Sequence, residues 1–310
     1  MNKLTIAIIA AIVLMALIII LYKTRKRERS KNMIMIFFLS LAIELITTPL
    51  RAMDFSICSV VTFALYFVFM IIVLHKYRNS LRPAIILLVA LMGCSVLRLP
   101  LHILEFESSL VSLPDTLFHL FGILMGFLYY ISKKHFKIII AALSTFSCLF
   151  LHFKGYDMWI HKLSYGTYTG KIDTYPASNL KFTNEAGDSI SLADMGGKYV
   201  VMDFWYSQCG VCFSEMPKTQ TLYDQLKKDT DIVFYSINAK VDSDTEQYAF
   251  THLKQLGYSL PVLRVNIKDS LLTKMGIVGY PTVLILDPNG NIVFRGGIES
   301  AEKYISEKVK

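Results

Sequence analysis

Cys209-Gly210-Val211-Cys212 is the segment whose residue types and spacing offer covalent chemistry. Cysteines three apart at a predicted helix start lie about one turn from each other, within the Cα separation of a disulfide. Such a pair can close and open with little backbone motion. Cys209, at the predicted helix N-terminus, meets free N–H groups and the positive end of the dipole, which favours its thiolate. Cys212, one turn inside, is the shielded, resolving thiol. Attack of a Cys209 thiolate on a substrate disulfide, then release through Cys212, is the two-step exchange this spacing permits. Zinc would need a second ligand pair, yet these are the only cysteines after residue 153, and no His-x-x-x-His follows. A c-type haem would need His where Phe213 stands. A purely structural disulfide remains an alternative for an extracytoplasmic domain. No metal and no cofactor are expected.

The elements that must hold this pair alternate short apolar runs with amphipathic stretches, the pattern of an α/β domain. Leu180–Phe182 and Ser189–Ser191 flank a turn as a hairpin, and Tyr199–Trp205 reads as a buried strand. A helix follows from Cys209 to about Lys228, then a strand over Ile232–Asn238 and an amphipathic helix over Asp244–Leu256. Pro261–Val265 reads as a short strand, Leu271–Met275 as a short helix, Pro281–Leu286 and Ile292–Phe294 as a hairpin, and Ala301–Val309 as a final helix. Asp203 lies on the apolar strand just before the cysteines. A carboxyl there has a raised pKa and can accept the proton that Cys212 must lose, the alternative being a satisfied core carboxylate. The Tyr280-Pro281 bond, placed before a strand, is compatible with a cis peptide.

The segment from Val200 to Pro217 resembles the active-site segment of thioredoxins, and is most similar to the membrane-anchored TlpA/ResA-like thiol-disulfide oxidoreductases of bacterial envelopes. The resemblance covers roughly Leu180 to Lys310. It implies a thioredoxin-like fold, a redox-active Cys209–Cys212 disulfide, and proton transfer by Asp203, which stands where thioredoxins carry a buried acid. Trp205 matches the aromatic beside the motif, Pro217 the proline that kinks the active-site helix, and Glu215 an acid near the active site of the TlpA/ResA-like group. Gly279-Tyr280-Pro281-Thr282 matches the loop whose cis-proline faces the cysteines, so Tyr280 and Pro281 are the expected substrate-binding residues, with Trp205 beside them, whose place at the end of a buried strand favours reading it as packing. Two positions depart from the pattern. Gln208 replaces a common tryptophan, and Val211 replaces the proline of Cys-Gly-Pro-Cys, which bears on the potential and hence on the direction of electron flow. A peroxiredoxin motif, Pro-x-x-x-Thr/Ser before a cysteine, is absent.

Across its 310 residues the chain is 54% hydrophobic and only 18% charged, which excludes a wholly cytosolic enzyme. Its net charge of +8 divides at residue 153 into 15 Lys/Arg against 6 Asp/Glu, then 17 against 18. The basic residues sit in short clusters between apolar runs, a membrane-topology pattern that argues against nucleic acid. Six candidate spans lie near Leu4–Tyr22, Met33–Leu50, Phe55–Leu74, Ala84–Leu104, Leu110–Ile131 and Ile138–Phe153. Lys and Arg accumulate in the first, third and fifth loops, which puts those loops inside and both termini outside. Its basic cluster follows the first span, so that span is read as an anchor and not a cleaved signal. Glu44, Arg98, Asp115 and His119 are the intramembrane polar candidates, the first three expected to snorkel or pair and His119 to bond between helices. Cys58, Cys94 and Cys148 read as small buried hydrophobes.

The expected architecture is an α-helical polytopic membrane domain (1–153), a linker (154–178) and an α/β thioredoxin-like domain (179–310). The expected function is reduction of disulfides in envelope proteins at the outer face of a bacterial inner membrane, with electrons from a membrane or periplasmic donor. An oxidase or isomerase, and a transport or scaffold protein whose thioredoxin-like domain only binds, are the alternatives.

Overall fold

The computed structural model describes residues 27–176, 181–192 and 197–308, so the expected first span, Leu4–Tyr22, lies outside the described residues. The chain divides into two compact units between Trp159 and Ile160.

The first unit is helical: α1 (Arg27–Arg51), α2 (Phe55–Tyr77), α3 (Pro83–Ser95), α4 (Leu99–Leu104), α5 (Phe106–Ser109), α6 (Leu113–Ile131) and α7 (Lys134–Phe150). A π-helical turn then leads into α8 (Tyr156–Tyr165), which carries the boundary between the units. Four stretches, Glu28–Arg51, Phe55–Tyr77, Phe106–Ile131 and Lys134–Tyr165, are long and apolar enough to cross a membrane. Asp54 caps α2 by accepting from the Ile57 amide. Gly122 and Gly126 bring α6 against α2 backbone to backbone, since a Cβ at either would meet the carbonyl oxygen of Phe63 or Phe67 at 2.7 or 2.5 Å. This is the close approach that small residues four apart allow between membrane helices.

The expected span Ala84–Leu104 is corrected by the structure. It breaks after Ser95, turns through Val96–Arg98 and restarts at Leu99 with Pro100 in the first turn. Proline has no N–H to donate, and its ring collides with the carbonyl four residues back, which kinks or breaks a helix, and here it breaks. What remains is a 13-residue α3, about 20 Å long against a hydrocarbon core of about 30 Å.

The second unit is an eight-stranded sheet with helices on both faces. Its strands are β1 (Lys171–Pro176), β2 (Lys181–Thr183), β3 (Ser189–Ser191), β4 (Tyr199–Trp205), β5 (Ile232–Lys240), β6 (Val262–Asn266), β7 (Thr282–Leu286) and β8 (Asn291–Gly296), in the order β1-β8-β7-β4-β5-β6-β2-β3. The central β4 runs parallel to β5 and antiparallel to β7. Its side chains alternate between two cores. Val201 and Trp205 join the core beneath α9 (Gly210–Leu226), α10 (Tyr248–Gln255) and α12 (Ile298–Lys308), whereas Val200, Met202 and Phe204 join the opposite core with Leu272 of α11 (Ser270–Lys274). Asp203 therefore shares a face with Trp205 and the cysteines.

Most expected elements recur within a few residues. One helix is shorter than expected, starting at Tyr248 because Asp244–Gln247 is spent in a turn. The segment read as linker is not unstructured. It contains α8 and β1, and β1 pairs antiparallel with β8 through Lys171↔Phe294 and Tyr175↔Ile292. Lys171–Pro176 is too polar to read as a strand, and the unpaired edge of β8 supplies what its own sequence lacks.

Candidate active site

Cys209 is the N-cap of α9, and its sulfur accepts the amide hydrogen of Cys212 at 3.1 Å. The two cysteines form a disulfide with Cα atoms 5.2 Å apart. Cys209 is 6% and Cys212 2% exposed, so both residues are buried, the outer one slightly less. Gly210 and Val211 stand out between them, and Val211 is exposed. Opening the pair would leave the Cys209 sulfur against the first amides of a 17-residue helix, which favours its thiolate.

Asp203 is buried below, and the Thr219 hydroxyl donates to its Oδ2 at 3.0 Å. Burial pushes its carboxyl up to about 7; the Thr219 hydrogen bond opposes this and the charge of Glu215 adds to it. Near neutral pH this group can both take and give a proton. Glu215 is half-buried on α9, one turn past Cys212. Burial raises its pKa, Lys218 lowers it and Glu299 raises it, while Lys218 is itself paired with Glu299. The Tyr165 carbonyl accepts from Arg295 Nε at 2.8 Å, which ties the end of α8 to β8.

Trp205 lies wholly in the core, its indole N–H bonded to Ser236 Oγ at 2.9 Å and its ring edge-on to Phe213. Named beside the substrate-binding residues, it has no surface to offer a substrate, and supports the cysteines from beneath. Pro281 follows a cis peptide bond from Tyr280. The pairing of Phe204 with Thr282 brings this loop to the end of β4, beside the turn that leads to Cys209. Tyr280 packs against the core cluster containing both cysteines and meets Tyr206 edge-on at 5.3 Å. Val278, just before this loop, is largely exposed. Sequence reasoning missed Thr219, Ser236 and Tyr206. Only Tyr206 carried a local signal, its place three residues before Cys209.

The helical unit holds a second cluster. Glu44 and Arg51 of α1, Arg98 of the turn before α4, and Asp115 and His119 of α6 converge from three segments of the chain. Arg98 reaches Glu44 at 2.7 Å and Asp115 at 2.8 Å, and Arg51 reaches Asp115 at 2.9 Å. His119 lies between the carboxylates, Nδ1 2.8 Å from Glu44 and Nε2 3.0 Å from Asp115. Tyr66 and Cys94 also donate to Glu44, and Ser59 donates to Asp115. The expected pairing is thus met in the interior, without snorkelling. Cys94 is more than an apolar filler, and Cys58 donates to the Thr47 carbonyl. Cys58, Asp115 and His119 offer donor atoms within 4.8 Å of one another. Of these donor atoms, Asp115 already takes Arg51, Arg98 and Ser59, and His119 Nδ1 lies against Glu44.

Residues 174–295 match the AhpC/TSA family. The chain is 25% identical over 177 residues to the thiol-disulfide oxidoreductase ResA of Bacillus cereus, covering 56% of this chain and 94% of that one. It is 32% identical over 145 residues to ResA of Oceanobacillus iheyensis, covering 44% of this chain and 71% of that one. The chain belongs to the ResA/TlpA-like thiol-disulfide oxidoreductases. Among solved structures it resembles the thioredoxin domain of a Bacteroides vulgatus thiol-disulfide oxidoreductase, at 25% identity and a TM-score of 0.39, over 45% of this chain and 99% of that one. As a member of this family it is an oxidoreductase acting on disulfides, with a thioredoxin-like unit that follows a helical unit able to span a membrane.

Proposed function

We propose that this oxidoreductase is held in the bacterial inner membrane by its helical module and reduces disulfides of envelope proteins on the outer side. The observation that carries the reading is the Cys209–Cys212 pair at the start of α9, above a buried Asp203 whose carboxyl is poised near pH 7. The Cys209 thiolate attacks one sulfur of the substrate disulfide. That bond breaks as the mixed disulfide forms, and the first substrate sulfur leaves as a thiolate that takes a proton from water. Asp203 accepts the proton of Cys212, whose thiolate attacks the Cys209 sulfur and expels the second substrate thiolate. Two electrons pass to the substrate, the Cys209–Cys212 disulfide is left, and a dithiol donor of the membrane or periplasm must restore it. Val211 and Val278 offer an apolar rim for the substrate chain, and Tyr280 and Pro281 hold its strand as the family resemblance implies. Glu215 tunes the proton traffic. The basic loops beginning Lys76 and Lys133 face the cytoplasm.

The test is the reduction potential of the full chain in detergent, equilibrated in thiol buffers, quenched by alkylation and read by mass on the Cys209–Cys212 peptide. A reductase poises near roughly −250 mV or below, whereas roughly −120 to −180 mV would assign an oxidase or isomerase instead. Cys209→Ser abolishes insulin-disulfide reduction and Cys212→Ser accumulates mixed disulfides. Normal turnover in either single variant would sink the mechanism.

A further inference from the structure

Where α1 ends and α4 to α6 begin, a cavity of about 230 Å³ opens beside the buried ion cluster of the helical unit, with Arg51, Arg98, His102, Ser108 and Thr116 among its walls. Arg98 is 6% exposed. Its Nε and Nη1 are taken by Glu44, Asp115 and Thr116, but Nη2 is buried with no hydrogen-bond partner. A guanidinium N–H left unpaired in a helix bundle is costly, and costlier where no water lies behind it.

Charge leads to the same place. Glu44 and Asp115 are contacted by both arginines, and His119 lies between them with Nδ1 2.8 Å from Glu44 and Nε2 3.0 Å from Asp115. Two guanidinium groups and an imidazole thus share two buried carboxylates next to the cavity. Glu105, the one carboxylate in its lining, is exposed and takes the Ser108 hydroxyl. His102 is held by Ser109 and Thr116. The hydroxyls of Ser109, Ser112 and Thr116 donate to backbone carbonyls, which leaves Arg51 and Arg98 as the cationic groups of the lining with Arg98 Nη2 unpartnered.

We propose that this cavity is a binding site for a phosphate oxyanion, either free phosphate or the headgroup of an anionic phospholipid. Paired guanidinium groups lining one hollow suit a phosphate, because their forked N–H groups match its oxygens. The proposal is independent of the redox reading.

The full chain in dodecyl maltoside is titrated calorimetrically with sodium phosphate and, separately, with dihexanoyl phosphatidylglycerol. The expected result is one site with Kd below about 1 mM for at least one probe. Arg51→Gln and Ser108→Asp each weaken it by about tenfold or more, whereas a Lys133→Gln/Lys134→Gln control, at the far end of α6, does not. Tighter binding of the lipid assigns a headgroup site, and tighter binding of phosphate assigns a free anion. Failure of the folded chain to bind either probe overturns the proposal. So does equal binding by Ser108→Asp, whose exposed side chain leaves the ion cluster intact if Arg51→Gln fails to fold, or equal loss in the lysine control.

Discussion

Asp203 carries a price in stability that the chemistry requires. Its folded pKa of about 7 lies above the ordinary value of 3.8, mainly through burial, so the folded protein holds a proton that the unfolded chain releases. The sign is therefore fixed: this contribution to stability is fully present below about pH 4 and falls as pH rises to about 7. Asp203→Asn is expected to raise the stability of the oxidised protein at pH 8 on the order of a few kcal/mol, and to flatten its dependence between pH 5 and 8. It should also slow release of the mixed disulfide. Denaturant melts at the two pH values, with quenched single-turnover exchange, check both; an unchanged pH slope would remove the proton-transfer role. At this scale Cys209, Cys212 and Asp203 are legible in the chain because their relation is set by one helical turn and one short strand. Thr219 is not, because its contact with Asp203 crosses from helix to sheet over 16 residues.

At the scale of elements, β1 decides where the oxidoreductase unit begins. A fragment starting at Ser178 would lack β1, the β8 edge would lose its ladder, and Arg295 would lose its bond to the Tyr165 carbonyl. Compared with a fragment starting at Ile160, it is expected to be less stable by a few kcal/mol, several hydrogen bonds at about 1 kcal/mol each. Urea melts of the two fragments test this, and equal midpoints would show β1 to be dispensable. Hydropathy likewise found where apolar helices lie but not where one breaks. Pro100 was visible in the expected fourth span, yet whether a proline kinks or ends a membrane helix depends on the partners available to the freed carbonyls. Here the break delivers Arg98 to Glu44 and Asp115, which an uninterrupted helix would not do with the same register.

The whole molecule joins two kinds of core. The C-terminal unit buries apolar side chains on both faces of a sheet, whereas the helical unit leaves residues such as Ile46 and Phe146 exposed and encloses ionic groups. Close packing of α2 on α6 is central to the second kind. Gly122→Val or Gly126→Val places side-chain atoms where backbone carbonyls stand, and is expected to destabilise the bundle by about 1–3 kcal/mol or more. Thermal melts in detergent would read this, with the reactivity of Cys209–Cys212 toward dithiothreitol unchanged because that unit has its own core. Wild-type melting of both variants would argue that α2 and α6 do not pack through these glycines.

The sequence by itself determined the redox motif, the two-part organisation, nearly every strand and helix of the C-terminal unit, and the positions of the apolar stretches. These follow from local rules: the reach of one turn, the period of two or 3.6, and the length of an uninterrupted apolar run. Tertiary structure alone decided that His119 bridges Glu44, 75 residues away, that the Trp205 indole bonds Ser236, and that a polar hexapeptide completes the sheet. Each depends on which distant partner can satisfy a buried charge, an indole N–H or an open strand edge, and that choice is made when the elements pack.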